Sequence, residues 1–198
     1  AEYFKMRQGQ IPSSKARLCQ LIFSKISPIP DCAHILDIGG GEGFFVKEVL
    51  KATAHVKVTL VEPQADEKEA FGERVTVHRK LVEDWLQTTR AEQYDAIVAM
   101  DLIEHLRLPT DVMAELVASR LKPGGTLIVT TPDAGSCYRK LLGVLWPHYK
   151  VEHLTYPSKE ALKKLAERLG LDVRECSSFA KPLQIGYLIA VLRNFGPT

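Results

Sequence analysis

The sequence lacks the features that direct a chain to nucleic acid or through a membrane. Its 198 residues carry a formal net charge of only +2, so no strong overall attraction to nucleic acid or to an anionic membrane is expected. No apolar run approaches the length of about 20 residues that a membrane-spanning helix needs. We see no signal peptide, internal repeat or low-complexity segment. These absences predict no nucleic-acid partner and no transmembrane segment, and a length of 198 residues predicts a single domain.

Cysteine is scarce and scattered. The four cysteines form no C-x-x-C pair and no zinc-binding spacing; they are Cys19, Cys32, Cys137 and Cys176. We therefore expect reduced thiols in a cytoplasmic protein. Hydrophobic and charged residues make up 45% and 25% of the chain, which is typical of a globular domain with a substantial core.

One stretch combines a short apolar run, a glycine-rich turn and a helical pattern. The pattern of residues 34–38 indicates a buried strand, and residues 44–50 space their apolar side chains as a helix does. Gly39, Gly41 and Gly43 stand between them. Glycine permits positive φ and close approach of a ligand, and the following helix N-terminus offers unpaired N–H groups. The stretch therefore predicts a small-molecule site.

The glycine spacing separates two kinds of nucleotide-binding turn. A dinucleotide-binding turn follows G-x-G-x-x-G, and its third glycine falls here on the bulky Phe44. Gly39, Gly41 and Gly43 instead give G-x-G-x-G, preceded by Asp37. This pattern resembles motif I of the class I S-adenosylmethionine-dependent methyltransferases. The resemblance implies S-adenosylmethionine as cofactor and S-adenosylhomocysteine as product, with Asp37 meeting the methionine ammonium. A glycine-rich turn without a ligand is the alternative.

An acidic residue, Glu62, ends the second predicted strand, residues 56–61. Nucleotide-binding α/β folds use a carboxylate at this position to accept hydrogen bonds from the ribose hydroxyls. Glu62 follows Gly41 by 21 residues, the separation expected for that role. The alternative is a solvated carboxylate at a strand end, but the register with the glycine turn favours ribose binding.

The third predicted strand, residues 74–78, precedes the region where this family contacts adenine. Many relatives carry Gly-Asp there, whereas this chain has Lys80 and Leu81. Glu83, or its neighbour Asp84, is the available carboxylate for the adenine amino group. Both residues also suit the first turn of a helix, where the helix dipole favours acidic side chains.

The fourth predicted strand, residues 94–100, leads into Asp101-Leu102-Ile103-Glu104-His105. This segment is similar to that of small-molecule methyltransferases, including the ubiquinone-biosynthesis O-methyltransferase group, in which a Glu-His pair recurs. The resemblance implies that Met100 and Asp101 meet the cofactor at the carboxyl end of the strand. The Asn-Pro-Pro-Tyr type of motif, found in many enzymes that methylate nucleobases, is absent. Anchoring of the loop is the structural alternative for Glu104 and His105.

An irregular segment, about residues 133–157, follows the fifth predicted strand and is rich in aromatic residues and histidine. Such an insertion predicts a substrate lid. His105, His148 and His153 are the candidates for a base that takes a proton from the acceptor, with Asp101 as a positioning residue. Each histidine has a structural role as its alternative. A metal site formed by these histidines and nearby acids is a further alternative, but no metal-binding spacing supports it, so no metal site is predicted.

Both ends of the chain leave alternatives open. An N-terminal helical cap, about residues 1–30, either covers the ligand mouth or packs on the sheet. Beyond the insertion, Ser158 begins a helix, and residues 171–176 alternate as a sixth strand. In the tail, residues 183–189 supply a seventh, antiparallel strand or continue as a helix.

Alternating strands and helices predict an α/β fold, a three-layer Rossmann-like sandwich with a mostly parallel sheet of seven strands, or six if the tail is helical. Residues 1–198 would form one methyltransferase domain. By resemblance, its function is S-adenosylmethionine-dependent methylation of a small molecule, with oxygen the favoured atom. Two alternatives stay open: a non-catalytic S-adenosylmethionine-binding or interaction protein, and a nicotinamide-dependent oxidoreductase.

Overall fold

The computed structural model describes residues 12–26, 28–65, 71–89 and 92–178. The strands are β1 (His34–Ile38), β2 (Lys57–Val61), β3 (Val75–His78), β4 (Tyr94–Met100) and β5 (Leu121–Thr130). The helices are α1 (Pro12–Ile26), α2 (Phe44–Ala52), α3 (Val82–Thr88), α4 (Pro109–Glu115, extended by a π-helical turn at Leu116–Arg120), α5 (Cys137–Leu142) and α6 (Lys159–Arg168). Single 3₁₀ turns lie at Ile103–His105 and Gly143–Leu145. In these described ranges, no helix is long and apolar enough to cross a bilayer.

The five strands form one parallel sheet in the order β3-β2-β1-β4-β5. The chain builds outward from β1 to β3 and then returns to the other side of β1 with β4. In an open α/β sheet, ligands bind outside the carboxyl ends of the strands at such a reversal. The predicted Rossmann-like parallel sheet is confirmed, with five strands in the described part of the chain.

Helices α1 and α2 cover one face of the sheet, because each presents an apolar stripe to it. The buried residues of this layer include Cys19, Ile22 and Ile26 from α1 and Phe45, Val46 and Val49 from α2. They pack on sheet residues Ile35, Val58, Leu60, Ala96 and Val98. Full burial of such a side chain stabilises a fold by about 1.5–3 kcal/mol. The predicted cap also includes residues 1–11, which lie outside the described residues, so its role stays a prediction.

Helices α3, α4 and α6 cover the opposite face. Their side chains pack on Leu36, Ile38, Val61 and Ile97; the buried ones include Val82, Trp85, Val112, Met113 and Leu116, and α6 adds the partly buried Leu162, Leu165 and Leu169. Two helical layers therefore enclose the sheet, as the alternating pattern predicts. The predicted start of α6 is also confirmed, because the Ser158 Oγ accepts a hydrogen bond from the Ala161 N–H at 3.3 Å.

The prediction of a sixth strand at residues 171–176 is wrong for the described structure, which shows no strand there. A strand needs a neighbour with which to exchange backbone hydrogen bonds, and β5 pairs with β4 among the described strands. The segment instead exposes its charged side chains, and the Glu175 carboxylate meets the Lys25 ammonium at 2.7 Å. Alternating polar and apolar residues are compatible with an extended surface segment as well as with a strand.

The fifth strand begins earlier than the sequence predicts, because the apolar run that indicates it covers only residues 126–131. Leu121 already pairs with Tyr94, and a register shift separates this pair from the Ala96–Thr126 pair. The irregularity lets the Lys122-Pro123-Gly124-Gly125 segment, whose proline and glycines are typical of a helix end, lie within the strand. The predicted strand or helix at residues 183–189 lies outside the described residues.

Candidate active site

The carboxyl ends of β1, β2 and β4 lie level with one another. Ile38, the last residue of β1, pairs with Val61 on one side and with Ala99 on the other. The segments that follow these strands therefore meet at one edge of the sheet: the glycine turn, Glu62 and the Met100–Asp101 pair. This edge, beside the reversal of strand order, is where open parallel sheets bind ligands.

The glycine turn after β1 is fixed by backbone hydrogen bonds. The Gly39 N–H donates to the Val61 carbonyl at 2.8 Å, and the Gly43 N–H donates to the Gly40 carbonyl at 3.0 Å. Gly39, Gly41 and Gly43 have φ angles of 69°, 57° and 69°, a left-handed conformation that other residues rarely adopt. A Cβ added at Gly41 would meet no atom within 4 Å, so this part of the turn faces open space.

Asp37 lies buried under the turn, and neither carboxylate oxygen has a hydrogen-bond partner among the described residues. A Cβ at Gly40 would overlap the Asp37 Oδ2, so the turn rests directly on this side chain. Burial, and after it the charge of Glu62, raises the pKa of Asp37 to about 7. Unpartnered buried carboxylates are rare in folded proteins, and perturbed ones mark candidate functional sites. A cationic ligand group would satisfy both the oxygens and the charge.

Glu62 joins the end of β2 to the glycine turn. Its Oε2 accepts a hydrogen bond from the Gly41 N–H at 3.1 Å, and its Oε1 accepts one from the Gln64 N–H at 2.9 Å. A carboxylate has about four acceptor sites, so each oxygen can still accept from a ligand hydroxyl. The structure thus brings together the two features that the sequence separates by 21 residues.

Asp101 follows β4 with a φ of 51°, a left-handed conformation that is uncommon for a residue other than glycine. Its N–H donates to the Thr130 carbonyl at 2.8 Å, and the Thr130 hydroxyl donates to its Oδ1 at 3.3 Å. The end of β5 therefore holds the turn after β4 in this strained shape. The next residue, Leu102, packs against Gly39, where an added Cβ would lie 3.0 Å from the leucine Cδ1.

Met100 and Glu83 stand at the margins of this arrangement. Met100 is the last residue of β4 and is partly buried against the α1–α2 layer. Glu83 is half-buried in the first turn of α3, which begins four residues after β3 ends. Their contacts with a cofactor stay predictions.

The insertion after β5 folds around the buried side chain of Trp146. Its ring meets His148 and Tyr149 edge to face, each with centroids 5.1 Å apart, and Tyr156 lies at 5.8 Å. His148, one of the three predicted bases, thus belongs to an aromatic cluster that holds the insertion together.

The far end of the insertion returns to the loop after β4. The N–H groups of Leu154 and Thr155 donate to the Glu104 carbonyl at 2.7 Å and 3.2 Å. The His105 Nδ1 lies 2.9 Å from the carbonyl oxygen of Glu152. The Thr155 hydroxyl also donates to the Ile103 carbonyl at 3.4 Å, so four hydrogen bonds in the described residues join the insertion to the loop after β4.

Glu104, His105 and His153 come together at this junction. One carboxylate oxygen and two imidazole nitrogens lie within 4.8 Å of one another, and the two imidazole rings meet edge to face at 4.7 Å. Burial raises the pKa of the Glu104 carboxyl. Burial, followed by the charge of Lys150, lowers the pKa of His153 to about 4. These shifts favour the uncharged forms of both side chains.

Sequence reasoning missed two residues of the site. Gly40 lies between the motif glycines Gly39 and Gly41, so the motif does not assign it a role. The run of three consecutive glycines is the feature that could have indicated its importance. The sequence assigns Glu104 to a recurring Glu-His pair, with anchoring of the loop as the alternative, and does not show that it meets His153. The trio that it forms with His105 and His153 offers the atoms that bind Zn²⁺ or Fe²⁺. The absence of a metal site stays a prediction. It rests on the spacing of residues along the chain, and this spacing does not reveal ligands that the folding of an insertion brings together.

A parallel sheet with this strand order, a glycine turn after β1 and an acidic residue after β2 define a Rossmann-like protein of the class I methyltransferase type. A family model described as a methyltransferase domain matches residues 8–175. The chain belongs to this family, that of the class I S-adenosylmethionine-dependent methyltransferases. The resemblance drawn from the glycine turn and the Glu-His segment is thereby confirmed.

Two curated relatives are O-methyltransferases. The ubiquinone biosynthesis O-methyltransferase of Xanthomonas axonopodis pv. citri is 31% identical over 107 residues, covering 52% of this chain and 44% of that protein. The malonyl-[acyl-carrier protein] O-methyltransferase of Halalkalibacterium halodurans is 32% identical over 127 residues, covering 59% of this chain and 46% of that protein. The matches span less than half the length of either relative.

The fold is also found in solved structures. The Haloferax volcanii protein solved in complex with the Trm112 methyltransferase activator matches with a TM-score of 0.68 at 16% identity, covering 92% of this chain and 85% of that one. Identity at this level supports the fold alone.

Proposed function

We propose that the chain binds S-adenosylmethionine at the glycine turn and transfers its methyl group to a hydroxyl oxygen of a small molecule. The observation that carries this proposal is the buried carboxylate of Asp37, which lies under the turn and has no partner within the described ranges. A charge-assisted hydrogen bond to the cofactor's ammonium group would satisfy it.

The residues of the turn fit this cofactor. Asp37 would hold the ammonium group, and Glu62 would accept hydrogen bonds from the ribose hydroxyls. Gly41, beside which open space lies, would let the backbone approach the cofactor closely. When bound, the cofactor supplies a methyl group on a sulfonium, which is a good leaving group. Gly39, Gly43, Glu83, Met100 and Asp101 complete the set of predicted contacts.

His105 is the base that the geometry favours. A carbonyl oxygen only accepts hydrogen bonds, so the 2.9 Å contact with Glu152 assigns the proton to Nδ1 and leaves Nε2 as the acceptor. The side chain is exposed, so an acceptor hydroxyl can reach it. His153 is buried, and His148 packs on Trp146.

The chain's tasks in the reaction are alignment, proton removal and exclusion of water. The His105 Nε2 would take the proton of the acceptor hydroxyl and become an imidazolium, while the bound cofactor would supply the methyl group. Asp101, held by Thr130, positions the loop that carries His105. The insertion at residues 133–157 would cover the acceptor as a lid, within a domain spanning residues 1–198.

Oxygen is the favoured methylated atom because both curated relatives are named as O-methyltransferases. A non-catalytic S-adenosylmethionine-binding protein would keep Asp37 and Glu62 but show no turnover. A nicotinamide-dependent oxidoreductase would bind NAD, and Phe44 at the third position of the dinucleotide motif counts against it. The absence of a nucleic-acid partner and a cytoplasmic location stay predictions.

Calorimetry with S-adenosylmethionine, S-adenosylhomocysteine and NAD tests the proposal. We expect micromolar binding of the first two ligands, about −8 kcal/mol, and loss of that binding in Asp37→Ala and Glu62→Ala. An acceptor screen then measures turnover. Binding of NAD instead, or no binding by folded protein, would overturn the proposed function. Binding without turnover across hydroxylated acceptors would favour the non-catalytic alternative.

A further inference from the structure

The junction between the loop after β4 and the insertion brings together three side chains that can bind a metal ion. They are called the junction trio: Glu104, His105 and His153. One carboxylate oxygen and two imidazole nitrogens lie within 4.8 Å of one another. We propose that the junction trio binds a divalent transition-metal ion of the Zn²⁺ type and that this ion competes with the proton for His105. The spacing along the chain predicts no metal site, and the folded arrangement leads to the opposite conclusion.

Two members of the junction trio are buried and carry polar atoms that lack a partner. Glu104 is 1% exposed, and its Oε2 has no hydrogen-bond partner among the described residues. His153 is 8% exposed, and within the same ranges its Nδ1 has none either. Buried polar atoms of folded proteins are nearly always hydrogen-bonded, so two exceptions at one place need an explanation. Packing of the two imidazole rings does not supply one, whereas a metal ion would satisfy both atoms at once.

His105 already makes the outer contact that is typical of a metal-binding histidine. Its Nδ1–H donates to the Glu152 carbonyl at 2.9 Å, which leaves the lone pair on Nε2. Histidines that bind metals usually donate their other ring N–H to a carbonyl or a carboxylate, and this bond fixes the tautomer and the orientation of the ring. The side chain is exposed, so an ion can reach the junction trio from solvent.

Hydrogen bonds between the two segments hold the backbone of the junction trio in place. Leu154, which follows His153, donates its N–H to the Glu104 carbonyl at 2.7 Å. A tetrahedral Zn²⁺ with bonds of about 2.0–2.1 Å holds its ligand atoms about 3.3 Å apart, so atoms that now lie within 4.8 Å would close by about 1.5 Å at most. Side-chain rotation can provide a movement of this size without a change in the backbone.

The donor atoms of the junction trio favour a transition metal over Mg²⁺ or Ca²⁺. Imidazole nitrogens suit Zn²⁺ and Fe²⁺, whereas Mg²⁺ and Ca²⁺ prefer oxygen ligands. Two histidines and one carboxylate are also the protein ligands of several catalytic Zn²⁺ sites, in which a further position is left for water. Thiolates bind Zn²⁺ as well, so the exposed Cys32 and Cys137 are the competing sites that an experiment must distinguish.

An ion in the junction trio would change what His105 can do. The Nε2 atom has a single lone pair, so it can bind the ion or accept a proton, but not both at once. Metal binding would therefore withdraw the proposed base and lower the rate of methyl transfer. This consequence rests on the proposed function, whereas the metal site itself does not.

Calorimetry with ZnCl₂ on the full chain, without cofactor, tests the site. We expect one Zn²⁺ per chain with a Kd of about 1 μM or tighter, and binding of Mg²⁺ at least about 100-fold weaker. Glu104→Gln and His153→Ala should each weaken Zn²⁺ binding by about 100-fold or more, because each removes a direct ligand. His55→Ala, at an exposed histidine between α2 and β2, is the matched control and should keep the wild-type affinity. Thermal unfolding shows whether each variant is folded.

Co²⁺ in place of Zn²⁺ reports on the ligands in the wild-type protein. We expect visible absorption from nitrogen and oxygen ligands without the charge-transfer band of a cobalt–thiolate bond. That band would place the ion on a cysteine and overturn the site. Failure of the folded wild type to bind Zn²⁺, or equal Zn²⁺ affinity in Glu104→Gln, His153→Ala and the wild type, would also overturn it.

Turnover tests the competition for His105 once an acceptor has been found. Stoichiometric Zn²⁺ should inhibit the wild type, a chelator should restore its activity, and the inhibition should be lost in His153→Ala. Faster turnover in the presence of Zn²⁺ would overturn the competition. Calorimetry with S-adenosylmethionine separates the two proposals, because absence of cofactor binding would overturn the proposed function and leave Zn²⁺ binding unaffected.

Discussion

The Gly41 N–H donates a 3.1 Å hydrogen bond to the Glu62 Oε2, so the glycine turn and the end of β2 form one unit. The bond fixes the orientation of the carboxylate that the proposed function assigns to the ribose. Neither oxygen of the Asp37 carboxylate, which lies under the turn, has a hydrogen-bond partner in the described residues. The arrangement leads to four predictions.

Asp37→Asn is expected to stabilise the ligand-free protein above neutral pH and to abolish S-adenosylmethionine binding. The pKa of Asp37 is raised from 3.8 to about 7, so between these values the folded state binds a proton that the unfolded state has lost. The contribution of Asp37 to stability therefore falls as pH rises through this window. At 1.36 kcal/mol per pKa unit, the upper limit of this loss is about 4 kcal/mol. Asparagine has no charge and avoids the loss.

Urea unfolding from about pH 4 to about pH 8 measures this difference. The advantage of the asparagine variant should grow up to about pH 7 and then stay constant. Asp31→Asn, at an exposed position, is the control and should show no such trend. A difference in the free energy of unfolding that does not vary with pH would contradict the raised pKa.

Glu62→Gln is expected to weaken S-adenosylmethionine binding by about tenfold or more, equivalent to about 1.4 kcal/mol, while the fold is kept. Glutamine retains one oxygen, which can accept from the Gly41 N–H or from the Gln64 N–H but not from both, and it loses the charge that strengthens hydrogen bonds from ribose hydroxyls. Calorimetry measures the change, with Glu73→Gln as a control at an exposed residue before β3. Equal losses in both variants would argue against a ribose contact.

His105→Ala is expected to lower kcat by about 10²- to 10⁴-fold with little change in cofactor affinity, because it removes the proton acceptor alone. His148→Ala is the comparison, since its ring packs on Trp146 instead. If His148→Ala lowered kcat and His105→Ala did not, the assignment of the base would be wrong.

Gly40→Ala is expected to destabilise the protein by about 1–3 kcal/mol and to weaken cofactor binding. Its new Cβ would overlap the Asp37 Oδ2 and approach the Leu60 Cδ1, so either the turn or the carboxylate must move. Gly124→Ala, at a φ of 75° with open space around it, introduces backbone strain without touching the site. Thermal unfolding and calorimetry on both variants separate the two effects. Unchanged cofactor affinity in Gly40→Ala would contradict the close packing of turn and carboxylate.

The sheet and the position of the cofactor edge could be predicted because local patterns determine them. Apolar runs of five residues separated by helical patterns specify parallel strands, and consecutive parallel strands place Gly39 and Glu62 at the same edge. The motif glycines were identifiable because positive φ restricts the residue type.

The junction of Glu104, His105 and His153 could not be predicted, because it depends on how an irregular insertion folds back. Its path is set by Trp146 and by hydrogen bonds from residues 154 and 155 to the Glu104 carbonyl. No periodicity along the chain encodes such contacts. The wrong assignment of residues 171–176 has a different cause. Polar and apolar residues alternate there as in a strand, but no described strand pairs with the segment.

The hydrogen bonds from Leu154 and Thr155 to Glu104 have a consequence for how this chain could be re-engineered. The segment that would recognise the acceptor also supports the backbone of the loop that carries His105. Exchanging residues 133–157 for those of a relative would therefore change substrate choice and disturb proton transfer at the same time. A chimera that changed the insertion alone would inherit a misplaced base, whereas one that exchanged the 101–106 loop with it would carry a matched pair.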